Sequence, residues 1–310
     1  MSLEPLRRPR RLAPGDRVAV VSPSSPSPPE GVDTALEVLR RWGLEPVEMP
    51  HARDLHPWFT ALAGTDEDRA ADFQAAWEDP SIAAVVCARG GYGANRMVDL
   101  VDWEALRGRE PKALIGFSDI TTLHEAVALR LGVASVHGPM PTWSVFLADE
   151  GTREHLRRTL FEPEGARRVE SVAGRPLTGG TAAGVTVGGC LSMLAAGVGT
   201  AEHRDDLGGA ILLIEETDER PYRIDRMLTQ LRRAGWFDGI AGVALGSFTD
   251  CGPYEEVRPV LLDQLGGLGV PVAEEFGFGH CAPALTMMLG VEAVLDADAG
   301  TLEYREEPLR

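Results

Sequence analysis

Pro111-Lys112-Ala113-Leu114-Ile115-Gly116-Phe117-Ser118-Asp119-Ile120 runs from an apolar stretch into a serine and then into a helical pattern, with no loop between them. Ala113 to Phe117 has the length and composition of a buried strand. Ile120, Leu123, Val127 and Leu131 follow at three- and four-residue steps, which predicts one face of an amphipathic helix. A strand that stops at a serine and turns directly into a helix is a nucleophile elbow. It exposes the hydroxyl at the carboxyl edge of a sheet, beside N–H groups that the first helical turn leaves unpaired. The N–H of Asp119 can then face a developing oxyanion. The commoner elbow reads G-x-S-x-G, and here Ile120 takes the last place. Ser118 serves equally well as a helix cap, so the local sequence leaves both readings open.

Working outward, the first half alternates short apolar runs with helical patterns, the rhythm of a parallel sheet joined by crossover helices. Val18 to Val21 is a strand ending in a Ser/Pro-rich loop at 22–29, and Val32 to Trp42 is a helix. Val47 belongs to a second strand, Thr65 and Asp68 form an approximate capping box, and Ile82 to Ala88 is a further strand. A helix is expected around Met97 to Leu106, and another around Arg153 to Leu160 ahead of a hinge at Glu162-Pro163-Glu164-Gly165. The second half is glycine-rich, with strands at Ala210 to Ile214 and Ala241 to Ser247 and a helix at Arg223 to Ala234. The predicted fold class is α/β: an N-terminal parallel-sheet domain over 1–165 and a smaller, β-rich mixed α+β domain over 166–310.

Of the 310 residues 44% are hydrophobic and 25% charged, the profile of a globular protein. A formal charge of -17 repels nucleic acid and anionic lipid, and no run reaches the about 18 apolar residues of a membrane span. The basic run Arg7-Arg8-Pro9-Arg10-Arg11 is followed by no apolar segment, so it reads as a solvated arm rather than a secretory signal. Cys87, Cys190, Cys251 and Cys281 form no C-x-x-C pair. They read as free thiols of a reducing cytoplasm, with neither a disulfide frame nor a zinc site.

Three further segments carry candidate chemistry. Ala88-Arg89-Gly90-Gly91-Tyr92-Gly93-Ala94-Asn95-Arg96 follows a strand, and its glycines suit a second oxyanion donor, a phosphate, or an ordinary turn. As a dinucleotide fingerprint it is poor, because Arg96 stands in the third glycine's place. A serine nucleophile needs a base. His280, in the glycine-rich exit Phe276-Gly277-Phe278-Gly279, suits an imidazole facing a cleft. His124 points roughly 240° around its helix from Ser118, and His137 fits a core or a turn. A base needs an acceptor in turn, and Glu215 and Glu216 end the apolar strand from Ala210. Alternation lets only one of them face inward, and a solvated acidic turn is the plain alternative.

In their order along the chain, these segments resemble the LD-carboxypeptidase family of serine peptidases. The match rests on the Ser/Pro loop, Ala88 to Gly93, Ile115-Gly116-Phe117-Ser118-Asp119-Ile120-Thr121, Val187-Gly188-Gly189-Cys190-Leu191, Leu213-Ile214-Glu215-Glu216, Pro221-Tyr222-Arg223-Ile224-Asp225-Arg226 and Phe278-Gly279-His280, covering roughly residues 15 to 290. The resemblance implies a Ser–Glu–His triad at Ser118, Glu215 and His280, an N-terminal Rossmann-like domain, a C-terminal domain supplying the acid and base, and commonly a homodimer. It implies cleavage of the bond between an L-centre and the terminal D-alanine of a muropeptide tetrapeptide, in cell-wall recycling. Gly90, Gly91 and Asp119 would frame the oxyanion, Arg89 or Arg96 would meet the substrate carboxylate, and no metal or cofactor is called for. Phe117 stands where the family often has Tyr, and Cys281-Ala282-Pro283 where glycine and polar residues are common; both bear on substrate preference. Two rival readings remain. One is the microcin-immunity type of the same family, which cleaves aminoacyl-nucleotide conjugates but tends to carry more loop sequence than Ser247 to Gly252 provides. The other is a non-catalytic nucleotide-binding module.

Overall fold

The computed structural model describes residues 3–171 and 173–310. Five parallel strands follow the predicted rhythm: β1 (Arg17–Val21), β2 (Glu45–Glu48), β3 (Ile82–Cys87), β4 (Ala113–Gly116) and β5 (Ser135–His137). β3 and β4 are buried along their whole length, as their unbroken apolar runs require of strands covered on both faces. The helix Pro29–Arg41 buries Val32, Ala35, Leu36 and Leu39, a single stripe at helical spacing. The helix Asp66–Glu78 starts at the predicted box. Thr65 Oγ1 accepts from the Asp68 N–H at 3.1 Å and donates to its carboxylate at 2.7 Å.

The second half contributes β6 (Arg168–Glu170), β7 (Arg175–Thr178), β8 (Thr181–Cys190), β9 (Ala210–Thr217), β10 (Gly242–Thr249) and β11 (Val272–Glu274), then β12 (Met287–Leu289), β13 (Glu292–Asp296) and β14 (Thr301–Tyr304). Eight of these form one sheet, ordered β6-β14-β13-β8-β9-β10-β11-β7. Its four central strands, β8 to β11, are parallel, with the helices Leu191–Ala196, Pro221–Arg233 and Tyr254–Leu265 between them, while β7, β13, β14 and β6 flank them antiparallel. The β-rich second half is therefore parallel α/β at its centre. β12 leaves this sheet altogether and pairs antiparallel with β5, making the first sheet six-stranded in the order β12-β5-β4-β3-β1-β2.

Three expectations change. The helix expected around Met97 to Leu106 is broken into Ala94–Met97, a 3₁₀ turn at Val98–Leu100 and Trp103–Leu106. Asp102 restarts it by accepting the Ala105 N–H, while Val101 is extended and buried. The segment after Ser118 is also not a single amphipathic helix. A 3₁₀ turn Ser118–Ile120 leads into Thr121–Ala126, in which every residue is buried. The second half covers the face expected to be polar: Thr121 Oγ1 accepts the Cys190 N–H at 3.0 Å, and Glu125 pairs with Arg204. Third, the basic N-terminal run is not a free arm. Arg7 donates to Leu131 O at 2.9 Å, Arg8 pairs with Glu306, Arg10 with Asp16 and Arg11 with Glu164. A chain this acidic supplies carboxylates wherever a cationic strand can lie.

Candidate active site

In the first sheet, β2 lies on one side of β1 and β3 on the other, so the strand order reverses at β1. Loops at the carboxyl edge of such a switch point converge on a crevice. The loops after β1, β3 and β4 do so here. Ser118 follows β4 at φ +64°, a left-handed conformation that costs a β-carbon residue roughly 1 to 2 kcal/mol. The residue before it, Phe117, is extended at φ -156°. This is the elbow the sequence predicts, with Ser118 partly exposed and the residues on either side of it buried.

The Asp119 side chain does work that sequence reasoning missed. It is buried, and its Oδ2 accepts from Ser24 Oγ at 2.5 Å and the Ala94 N–H at 2.8 Å. Burial raises its pKa, and hydrogen bonds from Ser24, Ala94 and Gly93 only partly offset that. One carboxylate thus ties the loops after β1 and β3 to the elbow. The signal was present as a serine-rich loop and an acid beside Ser118, but their pairing spans 95 residues. Ser25 completes the clamp, accepting the Tyr92 N–H at 3.0 Å and donating to Ala61 O at 2.8 Å. Gly91 lies against it at φ +102°, and a β-carbon there would come within 2.3 Å of Ser25 Oγ.

Glu215 and Glu216 stand near the end of β9, and both are buried, so the solvated acidic turn is ruled out. Alternation sends them to different partners, but both are enclosed, where only one was expected to face inward. Glu216 accepts the Ser192 N–H at 2.6 Å and the Thr217 N–H at 2.9 Å, while Glu215 Oε2 meets His280 Nδ1 at 2.7 Å. Gly279 makes room for that contact: its φ is +91°, and a β-carbon there would sit 2.3 Å from Glu215 Oε2. Burial pulls the His280 pKa down, but the charge and hydrogen bond of Glu215 outweigh it and leave the imidazole above its ordinary 6.5.

Ser118 and His280 line one cavity of about 520 Å³, together with Arg89, Gly90, Gly91 and Phe117. The Phe117 ring lies 4.6 Å from that of His280. Among the described residues no hydrogen bond joins Ser118 Oγ to His280; the two share a cleft, in which unliganded catalytic contacts are commonly long. Trp143, Met140, Thr142 and Thr217 also line the cavity, and no local motif marked them. Arg89 is exposed at the cavity and donates to Pro26 O at 2.8 Å. Arg96 is committed elsewhere, with Nη2 at 2.8 Å and Nε at 3.0 Å from Asp66 Oδ2. His124 is a packed residue: Nε2 lies 2.9 Å from Gly116 O, and burial lowers its pKa to about 3.

The LD-carboxypeptidase N-terminal domain matches residues 18–138 and the LD-carboxypeptidase C-terminal domain residues 183–295. The chain belongs to the LD-carboxypeptidase family. A Streptomyces coelicolor relative in this family is 59% identical over 297 residues, covering 96% of each chain. The murein tetrapeptide carboxypeptidase of Pseudomonas aeruginosa is 32% identical over 292 residues, covering 91% of this chain and 94% of its own. In fold, the chain superposes on the solved structure of MccF in complex with glutamyl sulfamoyl guanosine with a TM-score of 0.86. That match covers 98% of this chain and 99% of the other at 22% identity. Family membership makes the protein a hydrolase of the serine peptidase type, and among the described residues no helix is long and apolar enough to cross a membrane.

Proposed function

We propose that the protein is a serine carboxypeptidase that removes the terminal D-alanine of muropeptide tetrapeptides, with Ser118 as nucleophile, His280 as base and Glu215 as its orienting acid. The observation that carries this reading is the 2.7 Å contact between Glu215 and His280 at the edge of the cavity that Ser118 enters from the other sheet. With Nδ1–H donated to Glu215, His280 keeps Nε2 as the basic nitrogen. It takes the Ser118 proton as Oγ attacks the carbonyl, then returns a proton to the departing amine, after which water resolves the acyl-enzyme. Asp119 N–H at the first turn of the helix and the Gly90-Gly91 backbone would hold the oxyanion, and Arg89 the substrate carboxylate. The reading carries with it a cytoplasmic homodimer, checked by sedimentation of the purified protein.

The MccF likeness in fold keeps an aminoacyl-nucleotide substrate as a second reading. The link between β10 and the helix Tyr254–Leu265 spans only residues 250–253, which leaves little chain to cover a nucleotide. A phosphate-binding module is disfavoured because the Gly93 and Ala94 N–H groups already bind Asp119. Incubation of the purified protein with a muropeptide tetrapeptide and, separately, with an aminoacyl sulfamoyl nucleotide decides: release of D-alanine from the first is expected. Turnover of only the second overturns the substrate, and turnover of neither overturns the reading.

A further inference from the structure

Behind the Glu215–His280 pair lie polar atoms that the reaction above does not use. Glu215 is fully buried and gives only Oε2 to His280; its Oε1 has no hydrogen-bond partner. His137 Nε2 lies 3.9 Å from that oxygen, and both nitrogens of this buried ring also lack partners. Unpaired buried polar groups are costly, so two of them facing each other at this distance call for a common explanation.

Much of the wall around His137 is aromatic. Phe278 meets the His137 ring edge-on with centroids 5.7 Å apart, and Phe117 lies at 5.9 Å. The third ring nearby, His124 at 6.3 Å, has Nε2 on Gly116 O and an unpaired Nδ1, while the 3.9 Å approach of His137 Nε2 is to Glu215 Oε1. Burial lowers the His137 pKa; Glu215 opposes that shift and His280 adds to it. The ring is therefore neutral at neutral pH, with one N–H to place.

We propose that His137 is a positioning residue: its neutral imidazole donates Nε2–H to Glu215 Oε1, closing the gap to hydrogen-bond length and holding Oε2 on His280. This rests on the triad reading above. His137 pairs in register with Gly116, two residues before Ser118. The sheet that carries the proposed nucleophile thereby also aims the acid of the other sheet.

The test compares His137→Leu, which removes the donor, with His137→Gln, which restores an N–H at similar reach. The Leu variant is expected to lose about ten-fold in kcat on the tetrapeptide with KM within about two-fold, and the Gln variant to recover most of it at a similar Tm. Equal kcat in the parent and the Leu variant, or a Gln variant as impaired as Leu, overturns the proposal. The tautomer gives a readout that needs no turnover. In ¹⁵N-histidine NMR of Ser118→Ala protein, His137 should be the neutral Nε2–H form at about pH 7 to 8, and an imidazolium or an Nδ1–H form there overturns the proposal. If the parent releases no D-alanine, the proposed function fails while this spectrum still decides the contact.

Discussion

Ser118 and His280 face the same cavity, yet they arrive there in different ways. Ser118 is placed by one short run, Ala113 to Ile120: a buried strand, one left-handed residue and a helical turn. His280 is placed by a contact to Glu215 across 65 residues, between the exit of β9 and a loop beyond β11, with Gly279 leaving room for the carboxylate. The Ser118 side is thus specified locally and stores backbone strain, whereas the His280 side is specified by tertiary packing and stores buried charge. Damage to the first should therefore be chemical, and damage to the second geometric.

Four substitutions test that contrast. Ser118→Ala removes the proposed nucleophile and leaves the elbow, so the rate of D-alanine release should fall by at least about 10⁴-fold with the folded spectrum unchanged; retained turnover would sink the local account. Glu215→Gln should cost roughly 10³-fold in kcat and also move the pH profile. His280 acts as a base only when neutral, and Glu215 raises its pKa, so parent activity falls away on acidification at a pH above 6.5. Without that charge, burial is opposed only by the weaker pull of Glu216 and the acid limb should shift to lower pH; an unmoved limb would mean another group titrates. Gly279→Ala touches no substrate, but its methyl displaces Glu215 Oε2, and a loss of about 10²-fold is expected, mostly in kcat. The smallest effect concerns strain: Ser118→Gly should be about 1 kcal/mol more stable to urea than Ser118→Ala, because glycine takes φ +64° without penalty. Equal stabilities would mean the elbow is relaxed.

What the sequence made legible follows the same division. The strand-to-serine turn, the Thr65 box and the alternation that separates Glu215 from Glu216 all depend on neighbours within a few residues, and each is present. The choice of His280 as the proposed base rested on the family resemblance, since His124 and His137 were rivals that spacing alone could not dismiss. The loop clamp of Ser24 on Asp119, the burial of Thr121 to Ala126 and the commitment of Arg96 to Asp66 were not legible, because each is decided by a partner remote in sequence. The pairing of β12 with β5 belongs with them, as nothing in Met287-Met288-Leu289 says which sheet it will join.

That pairing has a practical consequence for dissecting the molecule. Met287 to Leu289 is the outermost strand of the sheet that carries Ser118, so a fragment ending near residue 165 would expose the backbone of Ser135 to His137 as a raw edge, open to pairing with other chains. Expressed alone, the front half should be sticky, and adding the missing strand as a peptide or a fused tail should restore its solubility.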